Sequence, residues 1–134
     1  MGQAGAMTED AAKDRWADEK YIVLETYRKN GEGVRTAVWF VEDNGTLFVR
    51  TGTKTGKMKR LRNNGKIRLA ASNGRGTPKG HWLEARYNIL ERDEWQSIIN
   101  RMREKYGLQW KMISLLHKLQ GSPNYTFLAL KPVE

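Results

Sequence analysis

Apolar positions along the chain follow two rhythms, and the change comes near residue 93. Up to that point they come in short runs rich in β-branched and aromatic residues: YIVLETY at 21–27, RTAVWFVE at 35–42 and TLFVRT at 46–51. Such runs predict strands. Between them, Lys29-Asn30-Gly31-Glu32-Gly33 and Asp43-Asn44-Gly45 supply residues that tolerate positive φ, so the three strands are expected to form an antiparallel meander through tight hairpins. A short helix is expected at about 55–63, capped by Thr53 or Thr55, with Met58 and Leu61 inward and Asn63-Asn64-Gly65 stopping it. KIRLAAS at 66–72 and HWLEARYNIL at 81–90 read as two more strands, joined by the polar loop 73–80, which reads as mobile. From Asp93 the period lengthens: Trp95, Ile98, Ile99, Met102 and Tyr106 lie at helical spacing, with Asp93 and Gln96 placed as a capping box and Gly107 as a stop. A second amphipathic segment at 108–120 puts Leu108, Met112, Leu115, Leu116 and Leu119 on one face, and YTFLALK at 125–131 is a closing strand. Residues 1–18 read as a small polar leader and a short helix capped by Thr8, leaving 19–134 as one domain. This order predicts a mainly β (α+β) protein, a six-stranded antiparallel barrel with peripheral helices.

Charge sharpens the picture because it is uneven. Of the 24 Lys and Arg residues, eleven lie between Arg50 and Arg86 alongside one carboxylate, Glu84, while the net charge of the chain is +9. An anionic partner is expected. Within that stretch, TGTKTGKMKRLR at 51–62 reads as a strand end, a turn of small residues and the basic start of a helix. Backbone N–H groups and the positive end of a helix dipole converge there, so a phosphate fits, with Lys57 adding a full charge. A solvated helix face is the plainer reading of the lysines alone. The small residues before Lys57 and the local lack of acids favour a ligand.

Other chemistries are thinly represented. There is no cysteine, and His81 and His117 are the two histidines, so a metal site is not expected and no Ser-His-Asp constellation can be assembled. No paired carboxylates stand out, so no catalytic side chain is assigned and any reactive centre has to be a cofactor. No apolar run reaches the roughly 20 residues of a membrane span, and the N-terminus lacks a secretory apolar segment, so no membrane partner and a cytoplasmic location are expected. Nucleic acid is not the expected partner either, since no helix–turn–helix, zinc or RNP motif occurs.

One set of residues carries a family resemblance: R-T-x-V-W-F at 35–40, the D-N-G hairpin at 43–45, F-V-R-T-G at 48–52 and T-G-K-x-K-R-L-R-N-N at 55–64. Together they resemble the split β-barrel flavin and deazaflavin oxidoreductases, the superfamily of pyridoxamine 5′-phosphate oxidase, and more narrowly its F420-dependent branch, over about residues 20–131. The resemblance implies a cofactor in a groove at a homodimer interface. Lys57 would be the main phosphate ligand, helped by Thr55 and Gly56; Arg50 and Thr51 would contact the cofactor from the third strand. Thr36, Val38 and Trp39 would meet the ring or its side chain, chiefly through backbone groups, and Trp82 would close the pocket from the other subunit. Ala37 stands where many relatives have proline, and the terminal substrate-binding segment of true pyridoxamine phosphate oxidases is lacking, so a different substrate is implied. The expected activity is hydride transfer from reduced F420 to a small electron-poor organic acceptor. FMN with a pyridoxamine 5′-phosphate oxidase-like role is the alternative, as is binding of a flavin, F420 or haem without turnover.

Overall fold

The structure is a computed structural model, and its described residues are 16–119 and 125–133. The helix expected at 8–18, with its Thr8 cap, lies outside them up to residue 15. Seven strands form one antiparallel sheet: β1 (Tyr21–Tyr27), β2 (Gly33–Val38), β3 (Val41–Asp43), β4 (Thr46–Gly52), β5 (Ile67–Ser72), β6 (Leu83–Ile89) and β7 (Tyr125–Val133). Among the described residues, three full helices accompany them: α1 (Gly56–Asn63) after β4, then α2 (Trp95–Tyr106) and α3 (Leu108–Leu119) between β6 and β7.

The sheet order is β2-β1-β5-β6-β7-β4-β3. Its two edge strands are neighbours in sequence, separated by Trp39 and Phe40 alone, so one run of chain pairs with β1 and then with β4 and curls the sheet into a split barrel. The six-strand count is corrected here. The single strand expected at 35–42 breaks because it must change partners, and at the break its backbone can join neither ladder. Side chains from the end of α2 take over. The Phe40 N–H donates to the Tyr106 hydroxyl (2.9 Å), the Lys105 ammonium donates to the Phe40 carbonyl (3.0 Å), and the Tyr106 O–H faces the carbonyls of Lys20 (2.8 Å) and Phe40 (2.9 Å). Burial pushes the Tyr106 hydroxyl well above the usual tyrosine range and the Lys105 amine down to about 8.

The hairpins form as their turn residues require. Asn44 and Gly45, with φ of 52° and 85°, make the two-residue link from β3 to β4. Along β4, Leu47, Val49 and Thr51 face the barrel core, while Phe48 and Arg50 face outward to the helices. Two apolar clusters result. Ile22, Leu24, Phe40, Leu69 and Leu128 belong to the barrel core, into which α1 sends Met58 and Leu61; Ile98, Met102, Tyr106 and Phe127 belong to the layer under α2. On the opposite side, the loop at 73–80 is held rather than loose: Asn73 Oδ1 accepts from the N–H groups of Arg75 and Thr77, Ser72 bridges Pro78, and the Lys79 N–H donates to Ala71 O at 2.7 Å.

Two helix expectations change. The capping box before α2 is not Asp93 with Gln96: a 3₁₀ turn, Arg92–Glu94, comes first, and the Glu94 carboxylate reaches back to the Glu91 N–H (3.3 Å). More consequentially, the apolar stripe of α3 faces outward. Leu108, Met112, Leu115 and Leu116 range from 71 % to 53 % exposed, whereas Trp110 is buried. The largest side chain of the helix decides which face docks, because an indole buries more apolar area than any one of the aliphatic positions.

Candidate functional site

The site is built where β4 runs out into α1. Thr55 has extended backbone and accepts the Met58 N–H on its side-chain oxygen (3.3 Å), which starts α1 immediately after the turn Gly52–Thr55. No acidic residue occupies the first turn of α1. Lys57 sits there, only 8 % exposed, with no hydrogen-bond acceptor or carboxylate partner among the described residues. Burial lowers its amine to about 8, and the neighbouring Arg60 guanidinium adds to the effect. Arg60 is itself fixed, donating from Nε to Thr26 Oγ1 at 2.7 Å, and it lies so close to Gly56 that a Cβ there would meet its Nη1 at 2.8 Å. Nearby, the Thr51 hydroxyl is buried with no hydrogen-bond partner. A buried hydroxyl without a partner and a largely buried lysine therefore flank one turn.

A groove of about 380 Å³ opens beside this turn. It is lined by Val38 and Trp39 at the end of the β2 run, by Arg50, Thr51 and Gly52 of β4, by Thr55, and by Met102, Trp110 and Tyr125, with the Trp39 and Trp110 ring centroids 6.5 Å apart. Trp39 is held by stacking on Tyr106, ring centroids 4.3 Å apart and planes 8° apart. The Arg50 guanidinium lies 4.1 Å from the Trp110 ring centroid and 5.2 Å from that of Tyr125. The groove is thus lined by aromatic rings and one guanidinium, and among the described residues no carboxylate or histidine lines it.

Of the nine residues expected at the site, Val38, Trp39, Arg50, Thr51 and Thr55 line this groove. Gly56 and Lys57 follow Thr55 directly in α1 without lining it, and Thr36 is one β-repeat before Val38 on β2. Trp82 is elsewhere within the single chain. Its ring lies between the guanidinium groups of Arg35 (4.9 Å) and Arg68 (4.6 Å) on the outside of β2, β1 and β5. Both arginines also hold the Glu25 carboxylate, at 3.1 Å and 2.6 Å, and Tyr27 donates to it at 2.6 Å. Burial works against the Glu25 charge, yet these three donors together bring its pKa down to about 2. Trp110 and Tyr125 were missed in the sequence. Trp110 is off the aliphatic stripe of its helix, and that mismatch was the available signal.

Among the described residues no group of three or more His, Asp or Glu side chains could hold a metal, and no helix is long and apolar enough to cross a membrane. No curated protein matches the sequence significantly. Solved structures share the fold. The haem storage protein HutZ from Vibrio cholerae superposes with TM-score 0.68 at 18 % identity, covering 95 % of this chain and 91 % of its own. A pyridoxamine 5′-phosphate oxidase-like protein from Listeria innocua gives 0.63 at 19 %, covering 94 % of each, and an F420 reductase gives 0.59 at 18 %, covering 91 % and 93 %. At these identities the likeness is one of fold. The sequence pattern of the pyridoxamine 5′-phosphate oxidase family matches residues 8–134, nearly the entire length, and the chain belongs to that family.

Proposed function

We propose that the protein is an oxidoreductase that holds reduced F420 in this groove and directs its hydride to a small electron-poor acceptor, with FMN as the alternative cofactor. The observation that carries the reading is the Thr51 hydroxyl, buried without a hydrogen-bond partner where it lines an aromatic groove, with the largely buried Lys57 following in the first turn of α1. An anionic tail on a flat ring system answers both halves of that arrangement. Lys57 binds the phosphate with Thr55 and Gly56; the ring lies along the backbone of Thr36, Val38 and Trp39 and of β4 at Arg50 and Thr51. F420 is preferred over FMN because its lactyl and glutamyl carboxylates engage further cations near α1, where Lys59, Arg60 and Arg62 follow Lys57. Haem is the weaker fit: among the described residues the groove offers Tyr125 and the fully buried Met102, and no histidine, as an axial ligand.

When bound, the deazaflavin or flavin ring supplies the hydride chemistry. The residues of this chain orient and shield. Trp39, pinned by Tyr106, and Trp110, pinned by Arg50, keep the walls rigid, so donor and acceptor carbons can be held at roughly 3–3.5 Å with water excluded. No groove side chain is placed to take a proton. A homodimer completes the proposal: the exposed stripe of α3 needs a cover, and Trp82 can close a groove only across a subunit boundary.

Titration with F420 and with FMN, followed by absorbance and by reduction of menadione or a nitroaromatic, tests the reading. Lys57→Ala is expected to weaken binding of the native cofactor at least about tenfold, since hydrogen bonds to charged groups contribute ~1.5–3 kcal/mol. Unchanged dissociation constants for both cofactors would refute it.

A further inference from the structure

We infer that the Arg50 guanidinium anchors the acceptor, and that the groove selects planar conjugated acceptors carrying a carboxylate. The name "acceptor" rests on the proposed cofactor groove; the anion specificity of Arg50 does not. Strand alternation sends Arg50 out of the barrel toward α3, while Thr51 turns inward to the phosphate turn, so the two neighbours address different parts of a bound ligand pair. The guanidinium carbon lies 4.1 Å from the Trp110 ring centroid and 5.2 Å from that of Tyr125, a cation–π setting that neutralises no charge. The five N–H donors lie in the guanidinium plane, and among the described residues no acceptor or carboxylate meets them.

Arg35 and Arg68 provide an internal contrast. Both lie against one indole, Trp82, and both also bond the Glu25 carboxylate. At Arg50 the aromatic half of the same arrangement is present and the carboxylate half is missing. Burial depresses the Arg50 pKa, so its charge is held at a cost that an incoming anion relieves. A carboxylate in the guanidinium plane makes two parallel N–H···O bonds, which a lysine at this position cannot reproduce. The flanking rings of Trp39, Trp110 and Tyr125 suit a flat conjugated body attached to it.

The test compares 2-naphthoate with its methyl ester, which share a ring system and differ in charge. Binding is read by quenching of intrinsic tryptophan fluorescence, to which the groove residues Trp39 and Trp110 contribute, in cofactor-free and cofactor-loaded protein. Wild type is expected to prefer the acid by roughly tenfold or more. Arg50→Gln should erase the preference, and Arg50→Lys, which retains charge and much of the packing, should keep a reduced one. Equal binding of acid and ester by wild type, or an unchanged preference in Arg50→Gln, overturns the inference. So does a loss of cofactor affinity in both Arg50 variants matching that of Lys57→Ala, because Arg50 would then be a cofactor ligand. Lys57→Ala separates the two proposals: if it binds cofactor normally the cofactor reading falls, while the acid-to-ester ratio still judges Arg50.

Discussion

Lys57 shows how a single residue can be set against the fold in the absence of its ligand. An exposed lysine holds its proton to about 10.5, whereas this one, buried beside Arg60, holds it to about 8. Between those values the unfolded chain carries more protons than the folded one, so the stability of the ligand-free protein rises with pH across that window. Lys57→Met should therefore stabilise the ligand-free protein at pH 7 by on the order of 2–3 kcal/mol, as measured by urea unfolding, and flatten part of the rise above pH 8. Lys105, with its amine also near 8, adds to the slope in the same direction. Ligand binding has the opposite dependence. Affinity for an anionic cofactor should decline as pH passes about 8 in wild type, because the free protein loses the charge that the ligand needs; titration at pH 6.5, 8 and 9.5 measures it. At this scale the Thr55 cap and the place of Lys57 in the first turn of α1 were legible because turn chemistry and helix capping are local. The burial of Lys57 was not, since desolvation depends on what the rest of the chain stacks around it.

Among the elements, the seam at Trp39–Phe40 carries the most structural consequence. A strand that leaves one neighbour and joins another has a gap in its ladder, and a buried amide left in that gap costs about 1–3 kcal/mol. Tyr106→Phe removes the hydroxyl that accepts the Phe40 N–H while keeping the ring that stacks on Trp39. It should destabilise the protein by about 1–3 kcal/mol, read from the urea midpoint at unchanged slope. Because the same ring backs Trp39, a Tyr106→Ala change should additionally loosen the groove wall. The helical period correctly announced α2, and it ends at Gly107, whose φ of 55° favours glycine. What the period could not announce was the task of the residues at its end. Tyr106 and Lys105 act on a strand 65 or more positions away, a relation that no local window contains.

Across the molecule, the outward stripe of α3 is the feature that a lone subunit leaves unexplained. Its four exposed aliphatic residues sit on the far side of the helix whose inner face, through Trp110, walls the groove. A second copy covering that stripe joins assembly to function, since it would stiffen the same wall. Light scattering should give twice the 15.5 kDa chain mass for wild type. A Met112→Glu, Leu115→Lys double variant should shift the population to monomer and weaken cofactor affinity with it; a dimer insensitive to these changes would place the interface elsewhere.

The amino-acid order alone determined the hairpins, the position and cap of α1, the helical pair and the cationic turn, because each depends on backbone preferences and side-chain spacing within a few residues. Tertiary structure decided where the long β2–β3 run breaks, which face of α3 turns inward, that Trp82 lies against Arg35 and Arg68 within its own chain, and that Arg50 stands beside two rings with no carboxylate partner among the described residues. Those outcomes follow from competition among distant surfaces for burial and for hydrogen-bond partners, and that competition is settled only when the sheet has closed.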